Sequence, residues 1–449
     1  MVVRRQHQGP ARRLQTGKGR IPAQKRKNLW QHRVNRRLLH LIVATSLCCN
    51  LAPASPPSRD TGLQRWSAHL TRDVLPWWTT TPPAEQTPTL RLRALYVHAV
   101  SLARETNPTI KTTLRAQFDS RCAALIPQLE KTPANSTAVQ AWIIILLADI
   151  HALAGKPEAL RLARQLFTQL DPLAHDTEHG GYFLTYSTSN DTLRDHESSR
   201  KHAPTQLHLL LALTRLLQAT PQDPLIRARL AELHALIPRF VSTETGHVRW
   251  ALARDWRPAE FARPINNQTL YGQNAETITY LLAANTALGL PSADILPLLQ
   301  TIARALIRDG ISPDGAVYYL GPMAGPAIDR RVWWWPQVET AAALWQMYQL
   351  TGDNRYRATF DNVSTWAFTH LVPQPPAPPG RWHTVCAPDG HPLPHTNAPH
   401  EIQTGYHVTR SILTMESFPP SAMRHPPATP ATSPQNPPVA ARTLPTPAP

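Results

Sequence analysis

A period of about 66 residues runs through the middle of this chain and limits its fold more than any other feature. Turn residues fall at Gly155-Lys156-Pro157, Pro221-Gln222-Asp223-Pro224, Gly289-Leu290-Pro291-Ser292 and Thr351-Gly352-Asp353. Counted from Gly155, Pro221, Gly289 and Gly352, successive turns are 66, 68 and 63 residues apart. On both sides of each turn apolar residues recur at helical spacing, as in Leu160, Ala163, Leu166, Phe167 and Leu170. Gly stops one helix and Asp, Ser or Pro starts the next, so each unit reads as a helical hairpin. A second signal, Gly followed closely by aromatics, lies at Gly181-Tyr182-Phe183, Gly246 to Trp250, Gly315 to Tyr319 and Gly380 to Trp382, in steps of 65, 69 and 65. Each hairpin is therefore followed by a longer loop with short strand-like segments. An earlier turn at Asn107-Pro108 and a last helix from about Gly405 to Glu416 bring the count to roughly twelve helices. The expected fold is all-α: an (α/α)6 toroid of helical hairpins with short β-hairpin loops at one end. It closes where the last helix packs beside the first, near Leu63 to Leu75.

Composition divides the 449 residues into three parts: a basic lead over 1–54, the repeat body over 55–416 and a Pro-rich tail over 417–449. The net charge of +16 points on its face to nucleic acid or an anionic membrane. Its location argues otherwise. Twelve of the 46 Lys and Arg residues lie in 1–54 and two, Arg424 and Arg442, in the tail, neither segment holding an acid; the body keeps 32 basic against 30 acidic residues. At +2 the body gives no basis for a nucleic-acid partner. Eleven of the 46 prolines lie in 417–449, which reads as a disordered, solvated linker. Arg36-Arg37, the apolar stretch Leu38 to Leu51 and the small-x-small run Ala52-Pro53-Ala54 together read as an export signal, with an alternative of a basic arm and a cytoplasmic protein. The apolar stretch is shorter than the roughly 20 residues of a membrane span. Beyond it only Cys122 and Cys386 remain, enough for one disulfide and too few for a metal motif.

Residues after each aromatic loop open an inner helix and so gather at one end of the toroid. Four polar and aromatic segments hold that place: Lys201 to His208, Tyr271 to Glu276, Trp333 to Glu339 and Tyr406 to Arg410. Taking Gln206, Gln273, Glu339 and His407 as equivalent markers gives steps of 67, 66 and 68. Polar residues converging in an aromatic cavity form the default binding site. Within Trp333-Trp334-Trp335-Pro336-Gln337-Val338-Glu339, aromatic planes beside an acid suit a sugar, whose C–H faces stack while its hydroxyls hydrogen-bond. A Trp-rich core plug is the plain alternative. Gln273, Glu276 and Tyr280 share one helix face, although a capping role would explain Glu276 equally well. His407 and His208 read locally as core histidines, and Arg93 as a solvated charge.

Trp334 to Glu339, Tyr348-Gln349-Leu350-Thr351-Gly352-Asp353, Asp255-Trp256-Arg257-Pro258, Glu178-His179-Gly180-Gly181-Tyr182-Phe183 and Gly405-Tyr406-His407-Val408-Thr409-Arg410 follow one another in an order that resembles the N-acylglucosamine 2-epimerase family. The resemblance covers about Leu90 to Met415. It implies an (α/α)6 barrel and a small sugar as partner, with proton transfer at C2 of an open-chain aldose through an enediol, as in cellobiose 2-epimerases and mannose isomerases. By position it implies His407 as base, Glu276 and Glu339 as the site acids and Arg93 near the enediolate oxygens. Trp334, Trp335, Tyr271, Gln273, Gln206 and Arg410 fall to substrate binding. No metal or nucleotide cofactor is expected. The chain departs from the pattern where Gln273 stands for a second His, and where Pro204-Thr205-Gln206-Leu207-His208 keeps only the last His of Asn-Thr-His-Leu-His. A Gln side chain exchanges no proton with carbon, so the second base would be His208, or the chemistry would run along one face. A catalytically silent sugar-binding barrel and a glycoside hydrolase using Glu276 and Glu339 are the alternatives.

Overall fold

The structure, a computed structural model, describes residues 61–80, 87–131, 136–185, 200–261, 263–394 and 405–418. The basic lead, the stretch read as an export signal and the tail beyond Phe418 lie outside them. Six inner helices stand side by side: α3 (Pro88–Arg104), α5 (Thr137–Ala154), α7 (Ala203–Ala219), α9 (Tyr271–Leu288), α11 (Trp334–Thr351) and α13 (Tyr406–Ser417). Each packs on the next, and α13 packs on α3, so the ring is closed. An outer layer backs it, formed by α1 (Thr61–His69), α2 (Leu75–Thr80), α4 (Pro108–Lys131), α6 (Pro157–Ala174), α8 (Pro224–Leu236), α10 (Ser292–Ala305) and α12 (Asn354–Trp366). The last helix also touches α1 and the turn Leu70–Val74, so the seam expected near Leu63 to Leu75 joins α13 to both layers.

The two layers differ as their sequences require. Outer helices bury one stripe, as α6 does with Ala159, Leu162, Ala163, Leu166, Phe167 and Leu170. Inner helices are walled in on all sides. α5 buries every residue from Gln140 to Ile150 against α3, α6 and α7. It is long and apolar enough to cross a membrane, and its place in the ring accounts for that composition. Three hairpin turns end the inner helix in a left-handed glycine, Gly155 (φ 68°), Gly289 (φ 76°) and Gly352 (φ 69°). Asp223 and Asp353 cap two of the returning helices through the backbone N–H groups of Leu225, Ile226 and Arg355.

The strands differ from expectation in one respect. The tight loops are hairpin-like, closed by single bridges such as His175 to Tyr182 and Val241 to Val248. The paired strands instead join neighbouring repeats: β1 (Lys201–His202) with β2 (Ala251–Leu252), β3 (Gln268–Leu270) with β4 (Leu320–Pro322), and β5 (Val332–Trp333) with β6 (Val385–Cys386). All three pairs are antiparallel, and one strand of each, β1, β3 or β5, runs directly into an inner helix. Cys122 on α4 and Cys386 on β6 are buried free thiols rather than a disulfide.

Candidate active site

Counting from the first residue of each inner helix gives the site its plan. The fourth residues of α7, α9 and α11 are Gln206, Asn274 and Gln337. All three are fully buried amides that clamp the preceding loop. Gln206 accepts from the Tyr182 N–H at 3.0 Å and donates to its carbonyl at 2.6 Å. Asn274 accepts from the Val248 N–H at 3.1 Å and donates to Leu270 at 2.8 Å. Gln337 accepts from Val317 and donates to the Gly315 and Val363 carbonyls. Two residues later the helix has turned about 200°, onto its opposite face. The sixth residues of the six inner helices are Arg93, Trp142, His208, Glu276, Glu339 and Ser411. In α13 the second and fifth residues, His407 and Arg410, join them.

These side chains meet. His407 Nδ1 lies 2.8 Å from Glu339 Oε1. Arg410 makes a close ion pair with the same oxygen and stands 3.9 Å from Glu276 Oε1. Tyr280 donates its hydroxyl to Glu276 at 2.9 Å. The His407 ring is flanked by Tyr406, Trp142 and Trp335, at 5.3, 5.8 and 5.9 Å between centroids. Trp335 lies on Gly272, where a Cβ would come within 2.3 Å of the indole. The glycine is what lets this ring sit flat on α9.

Charge in the cluster is set by burial and by two arginines. Burial is the largest influence on His407 and Glu339 only partly offsets it, so the imidazole is pushed down to about 4. At neutral pH His407 is uncharged, and donation from Nδ1 to the carboxylate leaves the Nε2 lone pair available as a base. Burial, then Arg93, His407 and Arg410, push His208 down to about 3. Burial acts upward on Glu339, but Arg410 and His407 outweigh it and hold this acid ionised. Burial and the neighbouring Glu339 charge push Glu276 up, so the proton of the carboxyl pair resides there. Glu276, Glu339 and His407 offer ligand atoms within 4.8 Å of one another, the spacing of a metal site. Arg410 already supplies the positive charge at that point.

Of the residues singled out from sequence, His407, Glu276, Glu339, His208, Arg93, Arg410 and Trp335 come together here. Gln273 lies one turn before Glu276 on the same face of α9. Three do not join them. Gln206 is taken up by the Tyr182 backbone. Tyr271 is fully buried against His247, with its hydroxyl at Gly321. Trp334 is buried beside Trp333, because one residue of helix turns it 100° away from Trp335. The equivalence taken for Gln206, Gln273, Glu339 and His407 is likewise corrected: Gln206 pairs with Asn274 and Gln337, and His208 with Glu276 and Glu339. Trp142 was missed. The signal for it exists, since Gln140-x-Trp142, Gln206-x-His208, Asn274-x-Glu276 and Gln337-x-Glu339 recur at 66, 68 and 63 residues, the same steps as the turns.

The motifs at Glu178 to Phe183 and Asp255 to Pro258 serve the scaffold. Trp256 adopts φ 67° and donates its indole N–H to the His179 carbonyl at 2.9 Å. Its ring would be struck by a Cβ on Gly181. Beneath them the fully buried Lys201 and Asp176 pair at 2.8 Å, with Arg254 donating to both oxygens of Asp176 at 2.9 Å.

Known proteins match this chain in sequence and in fold. The profile of the N-acylglucosamine 2-epimerase (GlcNAc 2-epimerase) family fits residues 140–411. A cellobiose 2-epimerase of Bacteroides fragilis is 26% identical over 230 residues, 49% of this chain. The chain spans just over half, 56%, of that relative's length. Among solved structures, cellobiose 2-epimerase from Spirochaeta thermophila superposes with a TM-score of 0.67 at 19% identity, covering 81% of this chain and 99% of the other. A D-mannose isomerase superposes with the same TM-score at 16% identity, with the same coverage. At those identities the two structures speak for the (α/α)6 toroid alone. The profile match covers more than half of the 449 residues, and the chain belongs to the N-acylglucosamine 2-epimerase family of sugar 2-epimerases.

Proposed function

We propose that the protein interconverts an aldose with its 2-epimer or its ketose at the reducing end of a sugar. One observation carries this reading: a neutral His407 is oriented by an ionised Glu339 at 2.8 Å, with Nε2 left for substrate. In the open-chain aldose, Nε2 takes the C2 proton and the C–H electrons form the C1–C2 double bond of an enediol. The carbonyl oxygen gains negative charge beside Arg93 and takes up a proton. Return of a proton to C2, with loss of the O1 proton to restore the carbonyl, gives either epimer. Return to C1, with loss of the O2 proton, gives the ketose. Gln273 cannot act as base on the face opposite His407, so His208 is the candidate for that duty.

Glucose, mannose, N-acetylmannosamine and cellobiose in D₂O test the proposal by NMR. Deuterium at C2, abolished by His407→Ala, is the expected result; no exchange with any of the four overturns it. Gln273 favours one rival, a silent sugar-binding barrel, which predicts sugar-dependent Trp fluorescence without exchange. Glycoside hydrolysis by Glu276 and Glu339 is the other rival: Arg410 and His407 both engage Oε1 of Glu339 and leave Oε2 without a hydrogen-bond partner, and it predicts new reducing ends from an oligosaccharide. Export is a separate proposal from the N-terminal sequence. Recovery of mature protein beginning near Ser55 in a periplasmic or culture fraction supports it, and recovery of full-length cytosolic protein opposes it.

A further inference from the structure

Arg93 and His208 share an unusual situation. Among the described residues, neither Arg93 Nε nor His208 Nδ1 has a hydrogen-bond partner, although both atoms are buried. His407 differs, since Glu339 fixes its rotation. An aromatic surface does for the first two what the carboxylate does for the third. The Arg93 guanidinium carbon lies 4.5 Å from the centre of the Trp142 ring. The His208 ring lies 4.5 Å from the same indole, tilted by 50°. Tyr406 meets it edge-on at 5.1 Å and His407 at 5.8 Å. Trp142 is thus the common wall of groups from α3, α7 and α13, and at 8% exposure, with Arg93 on its ring, it is poorly placed to stack a sugar. Indole presents the strongest cation-binding face of the aromatic side chains, and its two fused rings can hold two groups at once.

We propose that Trp142 is a positioning residue that sets the Arg93 guanidinium and the His208 imidazole against the reacting carbons. The inference rests on the isomerase reading above. It predicts that the Trp142 ring also bears on the protonation of His407. The charged and titratable groups facing His407 are Glu339 from α11, Glu276 from α9, Arg93 from α3, His208 from α7, and Tyr406 and Arg410 from its own helix. Letting Arg93 swing away removes one positive charge from this set. His407 then protonates at higher pH.

Trp142→Phe and Trp142→Leu in the full chain separate positioning from packing, since both leave an apolar side chain and only Phe keeps a π face. The Phe variant is expected to keep most of kcat. The Leu variant is expected to lose about 10- to 100-fold in kcat, with a smaller change in KM and the acid limb of the pH profile moved upward. Equal kcat and equal acid limbs in the two variants, or losses that only track the unfolded fraction by circular dichroism, overturn the proposal. Imidazole ¹⁵N NMR gives a readout without turnover. Displaced His208 resonances and a raised His407 midpoint in the Leu variant alone support the proposal, and spectra like wild type overturn it. Should wild type exchange no C2 proton with any sugar, the isomerase reading falls while the NMR comparison still decides the role of Trp142.

Discussion

Gln206, Asn274 and Gln337 face outward from the fourth position of their helices and hold loops in place, whereas His208, Glu276 and Glu339, two residues further on, face the axis and belong to the cluster around His407. Both sets are polar, and all but the half-buried His208 are buried. Composition alone cannot separate them, because amides that clamp a backbone and amides that bind sugar hydroxyls use the same donors and acceptors. Rotation does. The helix carries the scaffold's hydrogen bonds on one face and the chemistry on the other, so damage to the two faces should be distinguishable.

The largest effect is expected at Glu339, where the division is weakest. Glu339→Gln removes the charge shared by His407 and Arg410 and leaves a guanidinium buried without its counterion, costing roughly 3–5 kcal/mol of stability as well as activity. Denaturant unfolding and C2 exchange should both register the loss. His407→Ala should divide the two readouts cleanly, with exchange reduced on the order of 10²- to 10⁴-fold and a melting temperature close to wild type. Gln337→Ala should do the reverse. It strips one acceptor and two donors from buried partners, for roughly 2–3 kcal/mol in denaturant titration, with kcat nearly unchanged in the remaining folded protein. A large fall in kcat there would break the comparison. Gly272→Ala should push Trp335 off α9 and raise KM about three- to tenfold, with kcat less affected. Smallest is the pH effect. A base is active when neutral, so exchange should hold level as pH falls toward 5 and decline as His407 protonates through about 4.

Much of this was legible in the sequence. Gly and Pro punctuate each hairpin for steric reasons that do not depend on tertiary context, and their spacing alone predicts the closed ring of six hairpins. Convergence of the polar segments followed from that closure. The facing of individual side chains did not, because a shift of one residue turns a helix by 100° and the start of a helix is the least certain part of any pattern. Trp334 and Trp335 illustrate this, one in the core and one beside the base. Trp142 escaped for another reason. α5 is apolar all round, so no polar stripe marks the side that faces the axis.

The strand pairs have a mechanical consequence. Beginning with the bridge between Ser136 and Thr185, they strap the loop before α5 to that before α7, then to those before α9, α11 and α13 in turn. Among the described residues the strap does not continue to α3. The strap thus couples five inner helices end to end, and at the seam the Trp78 indole N–H, donating to the Gly380 carbonyl at 3.0 Å, ties α2 to the loop before α13. A displacement of any one of these loops is passed along the strap to the helix starts that carry Trp142, His208, Glu276, Glu339 and His407.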